Sequence, residues 1–286
     1  MRSVEEKNSQ MSVKKEKWKP YLDYVLKEQE WLKEHQKQEL KEIRSKDGLT
    51  LRAAYIPREN AKGTIICMHG YHSTNDIEFV PEVRFLWNLG YSILLPWQRS
   101  HGKSEGRYIT YGVKERHDLK RWILYINRHL AAKNKDIFLC GISMGCATTL
   151  MAAGLDLPDN VKGIIADCGF TSPWDIIKHV AKERFHLPPF PLMYMVDLIS
   201  EVVAGFGLKE VSIPEIMKRN KIPVLFIHGD ADDYVPMWMT IKNYEACVAK
   251  KELYIVSGAG HALAFSKDME EGKRRIKNFI NKYKTI

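Results

Sequence analysis

Downstream of Pro57 the chain alternates short, unbroken apolar runs with longer segments whose apolar residues recur every three or four positions. The runs cover 64–68, 91–95, 137–140, 161–166, 223–227 and 253–256. A run without alternating polar positions predicts a strand covered on both faces, the condition of a parallel sheet. The segments between them predict helices over 77–89, 114–131, 144–155, 237–249 and 267–283. Joined by right-handed crossovers, this alternation predicts an α/β fold built on a mostly parallel, doubly wound sheet. Upstream, 39–45 and 49–56 flank Lys46-Asp47-Gly48, whose Asp-Gly pair is a hairpin signal, so the sheet should open with an antiparallel pair.

Two stretches depart from this rhythm. Residues 14–40 are rich in lysine and glutamate, with Trp18, Leu22, Val25, Leu26, Trp31 and Leu32 at mostly helical spacings. They predict an amphipathic N-terminal arm resting one face on the domain. Residues 170–220 place about fifty residues, several prolines and two or three helix-like pieces between consecutive strands, most simply a cap. Within it, 187–203 is apolar on more than one face, which predicts packing on the core or the lining of an apolar pocket. The expected organisation is a helical arm over 1–45, followed by an α/β domain over 46–286 with the cap inserted at about 170–220. There is no internal repeat and no low-complexity segment.

Composition changes this picture little. At 45% hydrophobic and 28% charged, the 286 residues are those of a globular protein with a substantial core. The formal charge of +9 is spread among interspersed acidic residues, so no basic patch predicts a nucleic-acid partner. Five cysteines, Cys67, Cys140, Cys146, Cys168 and Cys247, form an odd set lying mostly in apolar runs, which predicts buried free thiols and a reducing compartment. With a polar start and no run of 18 apolar residues, neither a secretory signal nor a membrane span is expected, and the default address is cytoplasmic. Association into a homo-oligomer stays open.

The chemistry starts where the run 137–140 meets Gly141-Ile142-Ser143-Met144-Gly145. G-x-S-x-G between a strand and a small-residue helix is a nucleophile elbow: the serine occupies a strained turn, and the glycines leave room for it. Reactive groups of a doubly wound sheet gather at the carboxyl ends of its strands. The run 64–68 ends in His69-Gly70-Tyr71-His72, a loop placed to offer a backbone N–H. The run 223–227 ends in a segment carrying Asp230, Asp232 and Asp233, and 253–256 ends in Ser257-Gly258-Ala259-Gly260-His261. Nucleophile, acid and base thus follow in chain order. His69, His101 and His228 sit beside glycines and read as structural, and no histidine set has the compact spacing of a metal site.

From about residue 40 onward, Gly-Ile-Ser-Met-Gly, His-Gly-Asp-Ala-Asp-Asp-Tyr-Val-Pro, Gly-Ala-Gly-His and Arg99-Ser-His-Gly-Lys-Ser resemble the serine esterases of the α/β-hydrolase superfamily. The likeness is to the bacterial carboxylesterase-like branch related to prolyl oligopeptidases. It implies Ser143 as nucleophile, Asp232 as triad acid, His261 as base, and the N–H groups of Met144 and Tyr71 as the oxyanion hole. It implies hydrolysis of small or medium acyl or aryl esters through an acyl-enzyme, with no cofactor. Thioester or peptide hydrolysis by the same triad, or a non-catalytic binding protein of this fold, are the alternatives. Two positions depart from the pattern. Trp97 stands where relatives carry Asp and lies near a strand end, where it could face the pocket. Cys146 replaces a glycine and should be an inert core thiol.

Overall fold

A computed structural model describes residues 19–35, 38–74, 78–130 and 135–285. Eight strands form one sheet: β1 (Glu39–Arg44), β2 (Thr50–Ile56), β3 (Gly63–Met68), β4 (Ser92–Pro96), β5 (Asp136–Ile142), β6 (Val161–Asp167), β7 (Val224–Gly229) and β8 (Lys251–Val256). Their order is β1-β2-β4-β3-β5-β6-β7-β8. β1 pairs antiparallel with β2, and β2 with β4; every later pairing is parallel. The expected hairpin is present, with Gly48 at φ +89 in its turn. Each apolar run became a strand, with its ends moved by at most two residues.

The strands read as unbroken apolar runs because both faces are covered. Along β3, Ile66 and Met68 point into one cluster, with Ile65 and Cys67 in the other; along β5, Ile137 and Leu139 divide likewise from Phe138 and Cys140. Period-two alternation therefore sorts one apolar run into two cores. The first face carries α3 (Glu115–His129) and α4 (Met144–Ala152), which supply Trp122, Ile126, Leu150 and Met151. The second carries α2 (Val80–Asn88) and, at the end of the chain, α10 (Met269–Tyr283), through Val83, Leu86, Ile276 and Phe279. β1, an edge strand, alternates half-buried and exposed residues instead.

In the arm, Leu22–His35 is helical (α1) and lies against α2, with Tyr24 donating a hydrogen bond to the Pro81 carbonyl at 3.0 Å. Trp18 lies outside the described residues, as does Ile77 at the expected start of α2. The sheet begins at Glu39, where the hairpin signal predicts its first strand, inside the 1–45 bounds given to the arm. Between β6 and β7 come α5 (Pro173–Phe185), α6 (Pro189–Ile199) and α7 (Ile213–Met217). Ser172 caps α5 by accepting a hydrogen bond from the Asp175 N–H at 3.1 Å. After β7 come α8 (Met237–Ala246) and, beyond β8, the single turn α9 (Ala264–Lys267), which the periodicity did not predict; the helix expected over 267–283 is α10.

Candidate active site

β5 delivers Ser143 at the centre of the sheet, and the elbow has the strained geometry the motif predicts: φ 55 and ψ −116. A side chain cannot easily take that conformation unless its surroundings force it. They do. A Cβ on Gly145 would overlap the carbonyl of Met68 at the end of β3, and one on Gly141 would overlap the carbonyl of Gly145. The Ser143 N–H donates to the Asp167 carbonyl at 2.9 Å, tying the turn to the end of the neighbouring strand.

From the ends of β7 and β8 come two more side chains. His261 Nε2 lies 3.0 Å from Ser143 Oγ, and His261 Nδ1 lies 2.7 Å from Asp232 Oδ2. The other carboxylate oxygen of Asp232 accepts the N–H groups of Tyr234 and Val235, both at 2.9 Å. Burial pushes the Asp232 pKa up, but hydrogen bonds from His228 and His261 outweigh it and hold this carboxyl well below the usual carboxylate range. The two competitors are occupied elsewhere: Asp230 accepts the Gly258 N–H at 2.6 Å, and Asp233 faces Arg184 at 3.8 Å. The Tyr234 ring lies 5.0 Å from that of His261 and covers one side of it.

The N–H of Met144 is the first amide of α4, one of the donors every helix leaves without an intrahelical partner. On the loop after β3, Gly70, the residue before Tyr71, approaches so closely that a Cβ there would stand 3.2 Å from Ser143 Cβ. Three residues whose role the sequence did not disclose hold this loop. The main-chain N–H of Gln98 donates to His69 Nε2 at 3.1 Å, the Gln98 amide donates to the His69 carbonyl, and Thr148 on α4 donates to Gln98 Oε1 at 3.1 Å. Glu78 accepts the Gly70 N–H.

The histidines read as structural are so placed. His69 Nδ1 donates to the Gly70 carbonyl at 2.8 Å, His101 Nδ1 donates to the Arg99 carbonyl at 2.9 Å, and their rings meet edge to face at 4.8 Å. His228 Nε2 lies 2.8 Å from the Val235 carbonyl and 3.3 Å from Asp232. Arg99 anchors the following loop through a buried two-point pair with Asp118 at 2.7 and 2.8 Å and a further contact with Asp47 at 2.8 Å. Trp97 does not stand free at the strand end. Its ring is buried, with Gly102 against its edge and the Lys103 ammonium 4.9 Å over its face. All five cysteines are unpaired and buried, Cys146 against Gly169.

Asp167 is the residue that sequence reasoning missed. It ends β6 directly beneath the elbow, is buried, and its Oδ1 has no hydrogen-bond partner. Burial pushes its carboxyl up to about 7; His228 and His261 draw it down, and Asp232 pushes it further up. The one signal for it was a carboxylate closing an otherwise apolar run. Next to it, Cys168 adopts φ 46 and brings its thiol within 4.8 Å of ligand-type atoms of Asp232 and His261. Burial raises this thiol well above its usual range, so it stays protonated, whereas a metal ligand must be a thiolate. With Asp232 engaged by His261 and two N–H groups, the trio suits hydrogen bonding better than a cation.

A mostly parallel eight-stranded sheet in this order, flanked by helices, with a serine elbow after its fifth strand, is an α/β-hydrolase fold. Residues 104–285 match the prolyl oligopeptidase family, and the chain belongs to it. It is 28% identical over 239 residues to the uncharacterized protein YqkD of Bacillus subtilis, covering 84% of this chain and 78% of that one. Among solved structures, the Pyrococcus furiosus esterase Pf2001 superposes with a TM-score of 0.70 at 26% identity, over 87% of this chain and 93% of that one. Est1E from Butyrivibrio proteoclasticus, solved with ferulic acid, shares the fold at a TM-score of 0.67 and 21% identity, over 85% and 98%.

Proposed function

We propose that the protein is a serine hydrolase that cleaves carboxylic esters of small or medium acyl or aryl acids through a Ser143-His261-Asp232 triad. The observation that carries this reading is the continuous hydrogen-bonded path from Asp232 through His261 to Ser143, with distances of 2.7 and 3.0 Å. A serine hydroxyl is a weak nucleophile near neutral pH. As Oγ bonds to the substrate carbonyl carbon, its proton passes to His261 Nε2. Asp232, ionised throughout, keeps the Nδ1 proton in place and stabilises the imidazolium. The carbonyl oxygen gains the negative charge, and the N–H groups of Met144 and Tyr71 receive it, each such donor contributing about 3 kcal/mol to lowering the barrier.

Collapse of the tetrahedral intermediate breaks the ester C–O bond, and the leaving alcohol takes the proton from His261. Water then attacks the acyl-enzyme, His261 accepting its proton and returning it to Oγ. No cofactor enters these steps. Under this reading the segment over 170–220 is a cap that governs which acyl group reaches Ser143. Its α5 end already touches the site's rim, where the Arg184 guanidinium lies 4.7 Å over the Tyr234 ring.

Membership of the prolyl oligopeptidase family favours peptides as a second reading, and the 26% likeness to an esterase favours esters. A panel of acetyl, butyryl, octanoyl and hydroxycinnamoyl esters, run beside a prolyl p-nitroanilide, separates them. Ester turnover should dominate; faster anilide cleavage would reverse the assignment. Ser143→Ala should abolish p-nitrophenyl acetate hydrolysis while leaving the fold intact by circular dichroism.

A further inference from the structure

Asp232 is held by a second imidazole that the reaction steps above do not use. His228, one residue before the end of β7, is fully buried, and its Nε2 lies 2.8 Å from the Val235 carbonyl and 3.3 Å from Asp232 Oδ2. That carboxylate oxygen is the one that faces His261 Nδ1 at 2.7 Å. A carbonyl and an ionised carboxylate can only accept hydrogen bonds, so His228 Nε2 carries a proton. Its Nδ1 lies 2.8 Å from the Thr240 hydroxyl on α8, and that hydroxyl also lies 3.2 Å from the Gly169 carbonyl. The hydroxyl has one proton to give. Aimed at Nδ1, it completes a neutral imidazole; turned to Gly169, it leaves an acceptor for an Nδ1–H and completes a cation. In both charge states the Nε2–H stays directed at the loop that carries Asp232.

We propose that His228 is a positioning residue for the reaction: its Nε2–H fixes Asp232 Oδ2 for His261 and takes a share of the carboxylate charge. The inference rests on the triad reading of Ser143, Asp232 and His261. With its other oxygen held by the N–H groups of Tyr234 and Val235 at 2.9 Å, Asp232 cannot turn from His261 without leaving buried donors unpaired. An oxygen that accepts from two imidazoles also gives less to each. His261 therefore keeps its tautomer without being held protonated when it must take the Ser143 proton. Besides Asp232, the ionisable groups facing the two rings are Asp167 at the end of β6, the Cys168 thiol, and the Tyr234 phenol with Arg184 over its ring. All of these are kept in the variants below, so a changed titration reports His228.

Glutamine and asparagine separate the two nitrogens of this ring. A Gln amide reaches the place of Nε2–H, and an Asn amide only that of Nδ1. The whole chain, with nitrogen-15-labelled histidine, is titrated by NMR beside the pH profile of kcat/KM for p-nitrophenyl acetate. In His228→Asn the carboxylate is left to His261 alone, which should titrate about half a pH unit higher than in wild type, with kcat about tenfold lower. His228→Gln should restore the wild-type titration. Thr240→Val, which frees the ring at Nδ1, should shift His261 the same way by less, and Thr240→Ser should not; this pair decides if His228→Asn does not fold. Equal titration of His261 in the Asn and Gln variants, a downward shift in Asn, or equal titration in the two Thr240 variants overturns the proposal. The NMR titration needs no turnover. A shifted His261 without ester hydrolysis would sink the hydrolase reading alone, and hydrolysis with an unshifted His261 would sink this one alone.

Discussion

The carboxyl ends of β5, β7 and β8 and the helices between β6 and β7 sit close together and obey opposite rules. At the strand ends, backbone dictates side chain. Ser143 is held in a strained conformation, Gly141 and Gly145 are required by neighbouring carbonyls, and Asp232 is surrounded by four donors. In α6, Met193 and Asp197 secure the helix from beneath, while Phe190, Met195 and Leu198 face outward and are more than half exposed. Under the proposed function, reaction chemistry belongs to the first region, where few substitutions fit. Under the same reading, choice of acyl group belongs to the second, where many do.

The largest effects should come from the strand ends. Asp232→Asn should lower kcat by about 10⁴-fold, since the imidazole loses the partner that fixes its tautomer. Asp230→Asn and Asp233→Asn should change kcat by less than about threefold, because both lie outside the relay; equal losses in all three would erase the distinction between Asp232 and its neighbours. Gly145→Ala should disrupt the elbow, with a drop in soluble yield and about 100-fold lower activity in what remains. In the second region, Met193→Ala should destabilise by about 2–4 kcal/mol in urea titration, by loss of buried volume. Leu198→Ala, one helical turn and a half away, should change stability by less than about 0.5 kcal/mol. A comparable loss at Leu198 would mean that the outer row is packed in solution.

A smaller effect sharpens the boundary from below. With its pKa raised from 3.8 to about 7 in the fold, Asp167 binds a proton more readily folded than unfolded. Its favourable contribution is therefore full below pH 3.8 and fades as pH climbs through 7. Asp167→Asn, which cannot ionise, should flatten this dependence, so its melting temperature should gain on wild type between about pH 4 and pH 7. Parallel profiles would show that Asp167 does not titrate there.

The same division sets what the sequence disclosed. Strands and elbow were legible because their constraints are local: an apolar run needs cover on both faces, and a glycine pair around Ser143 needs a tight turn. Ser143, Asp232 and His261, expected from motifs on three separate loops, lie within hydrogen-bonding reach of one another. Asp167 was not legible, since a lone aspartate after an apolar run looks the same whether it turns to solvent or lies under the elbow. Nor was the direction of α6. Apolar residues on several faces of 187–203 suggested packing against the core, and periodicity tells that a stripe exists without telling which way it points. Trp97 failed for a like reason: position at a strand end does not reveal that Gly102 and Lys103 fold over the ring.

The central claim is that Ser143 is the residue that forms the acyl bond. Treatment of the native protein with a fluorophosphonate, followed by peptide mass spectrometry, tests it most directly. One adduct on the peptide containing Gly141-Ile142-Ser143-Met144-Gly145 is expected, formed far more slowly in His261→Ala and absent in Ser143→Ala. An unlabelled Ser143 in folded protein, or an adduct on another residue that persists in Ser143→Ala, would contradict it.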